Sequence, residues 1–223
     1  MAKRVTLFWA LFLLAALGAS AGDIAQFVNL GFSADSKYFM FGQYGVSEST
    51  SSPYAETYVV DVAKNLYASR GVRKVAYTRA AEPGASGLGA LLTILGDALP
   101  QTRQYRVDHL LTGRMLYLLV DGVPANEVLE FRDFQTGRSY AVSLLRSGST
   151  SFHITASVTD KNGAVRAVTA GDPSIQRPGV KSYQIKQIIL APDGNSLVFV
   201  VQREEQDTKG SNVRYMVETA RLQ

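Results

Sequence analysis

Two histidines, no cysteine and nineteen acidic side chains are what this 223-residue chain offers to acid–base, nucleophilic or metal chemistry. His109 follows Asp108, but neighbours in sequence are not thereby partners in space, and His153 falls inside a run that reads as a strand. No Gly-x-Ser-x-Gly elbow presents a serine nucleophile, and Ser147-Gly148-Ser149 reads as a turn. Two separated histidines without cysteine do not make a zinc set, and no segment carries the twelve-residue calcium-loop pattern. A carboxylate pair is the remaining route to catalysis. Glu127, Glu130 and Asp133 are open candidates for it, because such a pair is defined by distance in space. The sequence therefore assigns no catalytic residue, no cofactor and no metal.

Binding chemistry is better represented. Basic side chains gather at Arg70, Arg73, Lys74 and Arg79, and again at Arg177, Lys181 and Lys186 around Tyr183. The loop from Gly171 to Val180 holds Gly179 and two prolines, Pro173 and Pro178, and the fixed φ of the prolines stiffens it around Arg177. A guanidinium held there offers a planar fork for a carboxylate or phosphate. Arg177, Lys181, Tyr183, Arg73 and Lys74 are the candidate contacts, and an envelope protein or surface component is the expected partner. Asp61 and Glu218 read as acidic ends of equivalent strands with a scaffolding role.

The first residues give the chain an address. Lys3 and Arg4 precede an apolar run from Val5 to Gly18, and Ala19-Ser20-Ala21 supplies the small side chains of a signal-peptidase site. The run is shorter than the roughly 20 residues that span a bilayer. Residues 1–21 are thus expected to be a signal peptide cleaved after Ala21, and 22–223 a single β-rich domain that is periplasmic or secreted, with no transmembrane helix. Removing Lys3 and Arg4 lowers the formal charge from +4 to +2, so basicity is no argument for nucleic acid. Without cysteine there is no disulfide and no lipoprotein anchor, and burial alone must hold the fold.

Twelve short alternating runs, from Gln26–Phe32 to Val213–Thr219, are separated by turn clusters in the rhythm of antiparallel hairpins. Asn162-Gly163 predicts a type I′ turn. Asp35 and Asp193-Gly194 sit in tight turns where the carboxylate can accept backbone N–H groups. Leu88, Leu91, Leu92, Leu95 and Leu99 recur at helical spacing, which predicts one helix over 87–99 with Ser86 at its start. The fold expected is mainly β, with antiparallel blade-like hairpins in a propeller-like or sandwich arrangement. Two hairpin units, 26–64 and 184–222, match at an offset of 158 across Asp35 and Asp193.

Leu190-Ala191-Pro192-Asp193-Gly194-Asn195-Ser196-Leu197-Val198-Phe199 resembles the blade repeat of TolB-type β-propellers, and Phe32 to Phe41 matches it with Ala34 and Ser36 in place of proline and glycine. The whole chain is also similar to a family of predicted secreted bacterial proteins of unknown function. The carrying residues are Phe27-Val28-Asn29-Leu30-Gly31-Phe32-Ser33, Gly171-Asp172-Pro173 with Arg177-Pro178-Gly179-Val180 and Tyr183-Gln184-Ile185, and the terminal Pro-Asp-Gly hairpin. The first resemblance implies blades and neither implies an activity. A non-enzymatic envelope-binding protein is the leading expectation. A carboxylate-dependent hydrolase and a carrier of hydrophobic ligands through the leucine helix are the alternatives.

Overall fold

The computed structural model of the chain describes residues 23–82, 84–121, 126–207 and 210–222, so Ala19 and Ala21, where cleavage is expected, lie outside the described part. Among the described residues thirteen strands form three antiparallel sheets. Sheet I is built from β1 (Gln26–Ser33), β2 (Tyr38–Val46), β3 (Pro53–Asp61), β4 (Leu66–Ala76) and the two-residue β5 (Val107–Asp108), in the order β4-β3-β2-β1-β5. Sheet II holds β7 (Val128–Arg132), β8 (Ser139–Ser147), β9 (Ser151–Thr159) and β10 (Val165–Ala170), in the order β10-β9-β8-β7. Sheet III holds β6 (Arg114–Leu118), β11 (Val180–Leu190), β12 (Ser196–Asp207) and β13 (Gly210–Arg221), in the order β13-β12-β11-β6.

Side-chain parity makes sheet III the middle layer. Leu197, Phe199 and Val201 of β12 point into a core shared with Val142, Phe152 and Ile154 of sheet II. Their neighbours Val198 and Val200 point the other way, against Phe32, Phe39, Phe41 and Tyr58 of sheet I. Successive strand side chains face opposite sides, so a strand apolar at every position, as Leu197 to Val201 is, must be covered on both faces. The three sheets therefore stack, with β6 reaching sheet III before the chain makes sheet II and β11 returning to pair beside it.

Each of the twelve runs seen in the sequence lies on a strand, and only β5 had no apolar alternation to announce it. The helical segment is divided. Helix α1 (Leu88–Asp97) is followed at Ala98 by α2 (Leu99–Gln104), and Pro100 falls in the first turn of α2. Proline lacks an N–H and suits a first turn, which is why it starts a second helix here instead of following a single one. Ser86 Oγ accepts the Leu88 N–H at 3.1 Å. Ala90, Leu91 and Ile94 are buried against sheet I, in a cluster with Ala55, Tyr44 and Val75.

The Asn162-Gly163 turn differs from type I′. Gly163 has φ +81° while Asn162 is not in the left-handed region. Gly163 N–H donates to Asp160 C=O and Asp160 N–H to Ala164 C=O, both at 2.8 Å. This is a three-residue loop whose glycine forms a bulge, a geometry that asks positive φ of one residue and not two.

In the two similar hairpins, Asp35 Oδ1 accepts the Lys37 N–H at 3.1 Å and the Ser33 hydroxyl at 2.6 Å. Asp193 Oδ1 accepts the N–H groups of Asn195 at 2.8 Å and Ser196 at 2.9 Å. The turns touch, since Asp193 N–H donates to Ser36 Oγ at 3.1 Å. The third strands run in a different register from the sequence alignment, because Tyr38 pairs with Asp61 whereas Ser196 pairs with Arg221. The position matching Asp61 is therefore Arg221, and Glu218 lies three residues inside its strand.

Candidate functional site

Three sheet edges meet at one cleft of about 1120 Å³. One wall is the β3–β4 turn from Ala63 to Tyr67, the opposite wall is β10 with the loop through Asp172, Ile175 and Arg177, and Met216 to Arg221 of β13 lie between them. Consecutive residues line each of these runs, as happens when a strand presents its edge.

Glu218 is the buried charge of the cleft, with 5% of its surface exposed. The Asn65 side chain donates to Glu218 Oε2. Asn65 Oδ1 accepts the Thr219 N–H at 2.7 Å, and Thr219 Oγ1 donates to Val62 C=O at 2.8 Å. Asn65 sits at φ +54°, a left-handed conformation that asparagine tolerates better than most residues. That turn aims its amide at β13 and joins sheet I to sheet III.

Arg177 approaches from sheet II. Its backbone N–H donates to Thr150 C=O at 2.8 Å. Its guanidinium lies 5.3 Å over the Phe152 ring and 3.6 Å from Glu218 Oε1. Burial pushes the Glu218 carboxyl above the ordinary carboxylate range, while the Asn65 hydrogen bond and the Arg177 charge pull it back. Asp172 is held below that range by hydrogen bonds from Ser174. Arg203 also lines the cleft, with Nε 2.9 Å from Glu205 Oε1.

Of the five binding candidates, only Arg177 reaches this cleft. Tyr183 is a core residue instead: it is buried, its ring centroid lies 4.5 Å from that of Phe152, and its hydroxyl donates to Thr150 C=O at 3.1 Å. Lys181 lies on the far face of β11, donating to Ser211 Oγ at 2.8 Å. Arg73 Nε donates to Gln101 Oε1 at 2.8 Å beside α2, and Lys74, one residue on, turns to Glu56 at 3.1 Å. Strand alternation separates Arg73 from Lys74, and the register shift between Val180 and Ser182 separates Lys181 from Tyr183. Asn65 and Arg203 were not singled out from the sequence, and Glu218 was read only as scaffolding.

Residues 40–221 match the family of predicted secreted proteins DUF2259. The chain belongs to this family. The DUF2259 match runs from within β2 to the end of β13 and so includes every residue lining the cleft. No curated protein and no solved structure shows significant similarity to the chain. Among the described residues, no helix is long and apolar enough to cross a membrane, and no three His, Asp or Glu side chains converge on a metal-sized site.

The two long edges at the cleft differ in how their backbones are used. On β13, Val213 N–H donates to Asp23 C=O at 2.8 Å and its C=O accepts Ala25 N–H at 3.1 Å. Tyr215 N–H is taken by Gln43 Oε1 at 2.8 Å and Thr219 N–H by Asn65 Oδ1. On β10, the Asp160 to Ala164 bond sets the alternation, so that Arg166, Val168 and Ala170 bond to β9. Val165, Ala167 and Thr169 then turn their N–H and C=O groups outward. No side chain of a described residue bonds to them.

Proposed function

We propose that the protein is a non-enzymatic binding protein of the periplasm or cell envelope, and that its cleft takes an extended segment of a partner polypeptide along the outer edge of β10. The observation that carries this reading is the contrast between β10 and β13, two edge strands that both reach the cleft. Uncovered strand edges invite pairing with other chains, and folds usually blunt them. Here the edge of β13 is bonded at Val213, Tyr215 and Thr219 by the Asp23 segment, Gln43 and Asn65, whereas Val165, Ala167 and Thr169 of β10 keep their outward backbone groups free. A strand added there gains main-chain hydrogen bonds, and pockets for its side chains give selectivity. Arg177 supplies a fork for an acidic group at one end.

Ala167→Pro tests this directly. Its N–H points away from β9, so proline removes no ladder bond and is tolerated at an edge. The variant is expected to unfold within a few degrees of the parent while losing partner cross-links from a photoreactive residue placed at Ile175. Cross-links that persist in the folded variant refute pairing along β10.

A second reading, a hydrolase, draws on Glu218 and Asp172, whose environments push their protonation in opposite directions as an acid and a base require. On that reading Glu218→Gln abolishes turnover of a glycoside or ester substrate. On the binding reading the cross-links from Ile175 survive it. Carriage of an apolar ligand has less support, because α1 packs directly on sheet I and does not line the cleft.

A further inference from the structure

On the outer side of sheet I, away from the cleft, the two helices leave a leucine ridge in solvent. Leu88, Leu92 and Leu99 are 42%, 63% and 48% exposed. Leu88 and Leu92, four residues apart, share one side of α1, and Leu99 and Arg103, likewise four apart, share one side of α2. Asp97 is half a turn round from Leu88, off the ridge.

Basic groups gather at the α2 end of that ridge. Arg73 is tied to Gln101 of α2 by its Nε, at 2.8 Å. The Tyr105 hydroxyl donates to Ser69 C=O at 2.5 Å and brings the exposed Arg70 to the end of the helix. Arg103 and Arg106 are exposed as well. Among the described residues none of these four arginines has an ion-pair partner. Most other arginines of the fold do, including Arg114, Arg138, Arg166, Arg177, Arg203 and Arg214.

We infer that this face is a peripheral docking surface for a bilayer carrying anionic phospholipid. An apolar ridge flanked by unpaired cations matches the depth profile of such a surface, with leucines entering the acyl boundary and guanidinium groups meeting phosphate. Arginine stems cover apolar surface while their heads stay in the headgroup layer. A protein partner built on the same leucines gives the clustered arginines no particular role, and a second copy of this chain opposes arginine to arginine. Charge complementarity favours the lipid.

The test is sedimentation of the exported chain, residues 22–223, with vesicles of phosphatidylglycerol or of phosphatidylcholine. Binding to phosphatidylglycerol vesicles alone, weakened by salt, is expected. Leu92→Glu with Leu99→Glu, and separately Arg103→Glu with Arg106→Glu, each lowers the partition coefficient by about tenfold or more. Lys161→Glu, in the exposed β9–β10 turn, leaves it within about twofold, since a charge beyond the screening length of the contact contributes little. Far-ultraviolet circular dichroism shows whether each variant keeps the fold. The proposal is overturned if the folded parent does not sediment with phosphatidylglycerol at low salt, or if folded glutamate variants sediment equally well. It is also overturned if the leucine variants instead abolish a concentration-dependent dimer formed without lipid.

Discussion

Phe199→Ala lowers the free energy of unfolding by about 3–5 kcal/mol, and Val200→Asp, one residue along, leaves no cooperative unfolding transition. Both side chains are fully buried, but they enter different cores. Phe199 packs with Phe152 and Ile154 of sheet II, and Val200 with Phe41 and Tyr58 of sheet I. Truncating the ring leaves a cavity that close-packed strands cannot collapse. A carboxylate at 200 has no partner between two sheets, where an unpaired charge is costly. Val165→Thr, at a side chain 63% exposed on β10, is expected to shift stability by no more than about 0.5 kcal/mol. Denaturant unfolding followed by circular dichroism distinguishes all three outcomes. If Val200→Asp unfolds cooperatively near the parent, sheet III is not a layer covered on both faces.

Asp133→Ala is expected to cost about 3 kcal/mol, the lower end for breaking a buried pair, because the abandoned Arg114 is already one-third exposed and can turn to water. The carboxylate receives both Arg114 Nη groups at 2.6 Å, the Gln135 N–H at 3.0 Å and the Thr136 hydroxyl. It thereby fastens β6 of sheet III to the β7–β8 turn of sheet II. The bonds from Arg114 foremost, with those from Thr136 and Gln135, hold the Asp133 carboxyl well below the ordinary range. A depressed acid gives stability that is complete above its unfolded value, near 3.8, and lost as the pH falls through the folded one. The parent therefore loses stability on acidification below about pH 4 faster than Asp133→Ala does, and unfolding curves taken across that range show the two converging. Parallel curves contradict the assignment.

Local pattern made most of the fold legible in the sequence, because strand alternation and turn residues are written within a few positions of each other. The twelve strands, the turn carboxylates at Asp35 and Asp193 and the leucine helix were all open to that reading. Register was less accessible: Asp61 and Glu218 look equivalent, yet the ladder pairs Asp61 and Arg221 with matching residues. The cleft was harder still. Asn65 and Glu218 are 153 positions apart and meet only because a turn of sheet I is laid across an edge of sheet III. Arg177 stands out in the sequence because its proline-flanked loop is a local signal. Tyr183, chosen beside it, points into the core on the strand that follows.

The free outer edge of β10 is the central claim, and residue-resolved amide hydrogen exchange tests it most directly. In the isolated protein the N–H groups of Arg166, Val168 and Ala170 should exchange slowly, and those of Val165, Ala167 and Thr169 fast. In the complex recovered through Ile175 the second set should become as slow as the first. Slow exchange at Ala167 and Thr169 in the isolated protein, or fast exchange there in the complex, contradicts pairing of a partner strand along β10.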